Sequence, residues 1–99
     1  MVSQIELEAI VRKTILLYNR LNSPKALAKS VLVLPEIVTI AFSGSFCYDC
    51  GGTLSYVEDF ARDFKIFNDS LELAIGQTRQ ISPRSFEVDY KVKVRQKMV

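Results

Sequence analysis

Histidine and tryptophan are absent from this chain of ninety-nine residues, which has only two cysteines, three prolines and four glycines. Without histidine, one copy cannot build a Ser-His or Cys-His nucleophile or a Cys₂His₂ zinc site. Two cysteines also fall short of the four thiolates that a closed tetrahedral zinc site or an ordinary iron–sulfur cluster requires. No Walker-type or dinucleotide-binding glycine pattern occurs. The longest apolar runs, at residues 30–34 and 37–42, are far below the ~20 residues that cross a bilayer. A net charge of +2 is too small to argue for nucleic acid by itself.

What remains is ordinary globular composition, 48% hydrophobic and 24% charged, in one domain covering residues 1–99. Glu6 and Glu8 stand where a secretory signal would carry a basic start and an apolar centre, so the expected location is cytoplasmic. Leu7, Ile10, Val11, Thr14, Leu17, Tyr18 and Leu21 recur at helical spacing, predicting a helix over residues 3–21. Ser3 and Glu6 form its capping box, and Asn22-Ser23-Pro24 ends it. Ile5 and Leu16 fall on the opposite face. Two β-rich runs, 27–34 and 37–46, are joined by Pro35-Glu36 as a hairpin.

A second helical stripe (Leu54, Val57, Phe60, Ala61, Phe64, Phe67) covers residues 53–67, with Ser55 and Glu58 as another capping box. Glu58, Asp59 and Asp63 read as its solvated face. A third strand spans 71–79. In the fourth, Phe86, Val88, Tyr90, Val92 and Val94 alternate with Glu87, Asp89, Lys91, Lys93 and Arg95. The order α-β-β-α-β-β predicts an α+β two-layer sandwich, two helices on one face of a four-stranded, mostly antiparallel sheet. Each half is a helix followed by a hairpin, the pattern of a structural duplication.

The chemistry concentrates in Cys47-Tyr48-Asp49-Cys50, between the second strand and the second helix. A Cys-x-x-Cys turn can aim two thiolates at one zinc or iron, and a symmetric dimer would supply four. Alternatively the pair is a thiol–disulfide redox centre, its thiols acidified by the helix start, or two small apolar residues packed beside a loop. All three readings stay open on the residues alone. Lys91, Lys93 and Arg95, with Arg84 beyond them, form the candidate nucleic-acid surface of a fourth, weaker alternative, a KH-like RNA binder. That form uses a Gly-x-x-Gly loop, which is absent.

The strand over residues 40–46, followed by Cys47, Cys50 and a helix, resembles the C-terminal domain of NifU-type iron–sulfur scaffold proteins. Cys47 and Cys50 fall in its two cysteine positions and Gly44 lies near its glycine, while Gly51 stands where that family usually has proline. The resemblance implies a cluster bridging two protomers, with Cys47 and Cys50 as ligands. The expectation is therefore a non-enzymatic metal or iron–sulfur binding module, homodimeric and open to protein partners.

Overall fold

A computed structural model of the chain describes residues 3–23, 25–44 and 53–94. The helix α1 spans Gln4–Asn22, with Ser3 as its N-cap: the Ser3 hydroxyl accepts from the Glu6 N–H at 3.1 Å. Strands β1 (Leu27–Val33) and β2 (Ile37–Ser43) follow, then α2 (Thr53–Phe67), β3 (Leu71–Ser82) and β4 (Ser85–Val94). This is the α+β order expected, and every strand pairing is antiparallel.

The sheet order is β1-β2-β4-β3. The second strands of the two hairpins therefore meet at the centre, and the first strands form the two edges. Tight turns explain this economy. Leu34 N–H donates to the Ile37 carbonyl at 2.8 Å across Pro35-Glu36. Ser82 and Ser85 pair across Pro83-Arg84, their hydroxyls 2.6 Å apart, so β3 runs three residues beyond Arg79, where the sequence stripe ends. Asn68 terminates α2 by accepting the Ser70 N–H on its side chain, an Asx turn.

One face of the sheet carries Val38, Ile40, Phe42, Phe86, Val88 and Tyr90 into a core with Leu7, Val11, Tyr18, Val57, Phe60 and Phe64 from the helices. Tyr18, Phe42 and Phe60 meet edge to face with ring centroids 5.6–5.8 Å apart. Three expectations need correction. The α1 stripe ends at Tyr18, and Leu21 in the last turn is 65% exposed. Because α2 already begins at Thr53, Ser55 is inside the helix and does not cap it. Asp63 is buried, since it lies beside Phe64 and one turn after Phe60, on the flank of the apolar stripe. No helix of the described residues is long and apolar enough to cross a membrane.

Both helices carry residues at the same spacing. Glu8, Val11 and Arg12 on α1 recur at identical spacing as Glu58, Ala61 and Arg62 on α2, and the buried Leu7 and Thr14 recur as Val57 and Phe64. Each half is thus a helix followed by an antiparallel hairpin, and the second strands of the two hairpins pair with each other.

Candidate functional site

Cys47 and Cys50 lie outside the described residues, as does Arg95. Gly44, the last described residue before the cysteine segment, has φ +150°, a region that favours glycine. Its N–H donates to the Arg84 carbonyl at 3.2 Å, and a Cβ there would overlap the Lys25 carbonyl oxygen. The α1–β1 connection and the β3–β4 turn thus close on Gly44 from two sides through the backbone carbonyls of Lys25 and Arg84. At the segment's other end stands the N-terminus of α2, with no acidic residue in the first turn. The positive end of the α2 dipole thus follows the cysteine segment directly.

Lys91 and Lys93 are exposed on the sheet face away from the helices. Lys91 is in register with Ile37 and Ala74, and Lys93 with Glu72. Arg84 does not join them. Seven residues of extended chain separate it from Lys91, about 23 Å. The other half of this face is acidic and internally paired. Asp89 takes both guanidinium nitrogens of Arg79 (2.8 and 2.9 Å) and the Thr39 hydroxyl (2.8 Å), and Glu87 accepts from Arg79 at 3.3 Å. Hydrogen bonds from Arg79 and then Thr39 hold the Asp89 carboxyl down to about 2, and hydrogen bonds to Asp89 and then Glu87 raise Arg79 further. No group of three or more metal-ligating side chains occurs among the described residues.

Two polar residues of α1 emerge that sequence reasoning missed. Asn19 donates from Nδ2 to the Ala28 carbonyl (3.1 Å) and accepts the Ala28 N–H on Oδ1 (2.6 Å), so its side-chain amide occupies the position of a neighbouring strand. Gln4 donates from Nε2 to the Val33 carbonyl. Between these clamps a groove of about 470 Å³ separates α1 from the edge strand β1. The only sequence signal was a polar residue at each end of the helix, indistinguishable from ordinary capping.

No protein-family description, curated protein or solved structure matches this chain.

Proposed function

We propose that the chain is a small non-enzymatic binding module whose Cys47 and Cys50 thiolates hold a metal ion or an iron–sulfur cluster, completed by the same pair from a second copy. The observation that carries this reading is the start of α2 directly after the cysteine segment, which sets two thiols at the positive end of a helix dipole. That helix opens without an acid in its first turn. Such a setting favours thiolate over thiol and offsets the negative charge of a thiolate-ligated centre. The donor set fits zinc or iron, which take soft sulfur ligands, and the count of two cysteines per chain calls for a partner copy.

Anaerobic purification followed by metal analysis and sedimentation tests the proposal. The expected result is one ion or cluster per two chains, lost together with the dimer in Cys47→Ser and in Cys50→Ser. Equal metal content in the wild type and both variants would withdraw it. The same setting also suits a redox pair, since acidified thiols attack disulfides readily. That second reading predicts a metal-free protein in which mild oxidation removes two hydrogens per chain and a dithiol restores them.

A further inference from the structure

The groove between α1 and β1 does not involve the cysteines. Ile15 and Val33, both half-buried, supply its apolar surface above the buried Val11 and Ala28. Glu8, Arg12 and Lys29 stand exposed at its margins.

The backbone along this edge is unevenly satisfied. Ala28 turns its N–H and C=O away from β2, since both bond the Asn19 side chain. By the alternation of an antiparallel ladder, Ser30 presents its own pair in the same direction, two residues on. The bulge between Ser30 and Leu32 then shifts the phase, and Val33 points its carbonyl outward to Gln4. The helix therefore closes both ends of the edge and leaves Ser30 open between them.

Charge distinguishes this groove from its counterpart in the other half. Between α2 and β3 a similar groove is lined by Glu58, Ala61, Arg62 and Lys65. There Arg62 is paired with Asp59 at 2.9 Å. In α1 the position equivalent to Asp59, three residues before Arg12, is Ala9. Neither Arg12 nor Lys29 has an ion partner among the described residues. Glu8, the one acid of the groove, accepts a hydrogen bond from Gln4 at 3.3 Å. Among the described residues both cations of the α1–β1 groove are thus unpaired, whereas in the α2–β3 groove Arg62 is paired and Lys65 alone is not.

We propose that the α1–β1 groove receives an extended, acidic polypeptide segment of a partner protein, which adds along β1 as a short fifth strand. Its backbone bonds the N–H and C=O of Ser30, its apolar side chains enter between Ile15 and Val33, and its carboxylates face Arg12 and Lys29. Main-chain bonding supplies attachment and the alternate side chains supply selectivity, as in other cases of strand addition. The two clamps close the edge at Ala28 and Val33, so the added strand pairs along about four residues between them.

The test uses the full chain and two N-acetylated, C-amidated hexapeptides, one alternating valine with glutamate and the other valine with lysine. Amide hydrogen exchange and NMR titration are the readouts. The glutamate peptide is expected to protect the Ser30 N–H and shift the methyl signals of Ile15 and Val33, with the lysine peptide inert. Replacing both exposed cations, Arg12→Glu with Lys29→Glu, should weaken the glutamate peptide by about tenfold and admit the lysine peptide, while Arg62→Glu changes nothing. Arg12→Gln should fall between wild type and the double variant. Cys47→Ser with Cys50→Ser should leave binding intact, which separates this proposal from the thiolate reading. Equal response to both peptides, or shifts confined to the α2–β3 groove, would overturn it. So would peptide-free protection of Ser30 that grows with protein concentration, since a second copy would then be the occupant.

Discussion

The Tyr90 hydroxyl donates to the Val57 carbonyl at 2.8 Å, tying the central strand β4 to the first half of α2. Tyr18, as fully buried as Tyr90, has no hydrogen-bond partner for its hydroxyl among the described residues. Burial drives both phenols far above their ordinary titration range. The two side chains thus share residue type and depth but differ in polar satisfaction.

That difference predicts opposite outcomes for the same substitution. Tyr90→Phe removes a satisfied bond and should destabilise by about 1 kcal/mol. Tyr18→Phe removes a desolvated hydroxyl with no partner among the described residues while keeping its ring contacts to Phe42 and Phe60, and should be neutral or stabilising. Urea denaturation of the two variants beside the wild type measures both. Equal losses would mean that the Tyr18 hydroxyl is bonded in solution.

Gly44 has two independent reasons to be glycine, its φ of +150° and the Lys25 carbonyl against its α-carbon. Gly44→Ala should therefore cost about 2 kcal/mol or more. It should also loosen the hydrogen bond from Gly44 to Arg84. Thermal unfolding reports the first effect, and faster hydrogen exchange of the backbone amide at this position reports the second. A variant with unchanged stability would show that Gly44 relaxes freely in solution.

The fold was legible because the burial pattern and the residue periods coincide. Phe86, Val88 and Tyr90 alternate in the sequence and all face the core. The spacing of Val57, Phe60 and Phe64 likewise matches α2 over the bounds its stripe gives. Strand order was not legible, because the central β2–β4 pair is set by contacts between distant hairpins, such as Ile40 with Val88. Of the candidate sites, the basic stripe was half legible. The alternation put Lys91 and Lys93 on the outer face, but only the sheet register brings Glu72 opposite Lys93. Asn19 and Gln4 were invisible, since nothing in a helix sequence marks which polar residue will bond an edge strand.

The outer-face cluster is coupled through one carboxylate. Asp89 bridges Thr39 on β2 and Arg79 on β3, so it ties three strands together. Bidentate geometry sets it apart from ordinary surface pairs. Asp89→Asn should lower Tm by about 5 °C at low salt. The loss for Arg79→Ala should shrink in the Asp89→Asn background. Additive losses in this double-mutant cycle would mean that the pair contributes no coupling.

Asp63 and Asp89 set opposite trends with pH. Burial, then the neighbouring Asp59, raises the Asp63 carboxyl, with Arg62 opposing them. At neutral pH both folded and unfolded chains carry this carboxylate ionised, and the folded one bears the penalty of desolvation. As pH falls through the raised folded-state value, the folded chain takes up the proton first. Stability therefore rises until pH reaches the unfolded carboxylate value of ~3.9. Asp89 behaves in the reverse sense. Its contribution is fully present above ~3.9 and is lost as pH falls from there through about 2. In a series of melts from neutral to strongly acidic pH, Asp63→Asn should have the higher Tm at neutral pH and converge on the wild type by about pH 4. Asp89→Asn should lie below the wild type at neutral pH and meet it only near the acid limit. Parallel curves for wild type and Asp63→Asn would show that this carboxyl is hydrated in the folded chain.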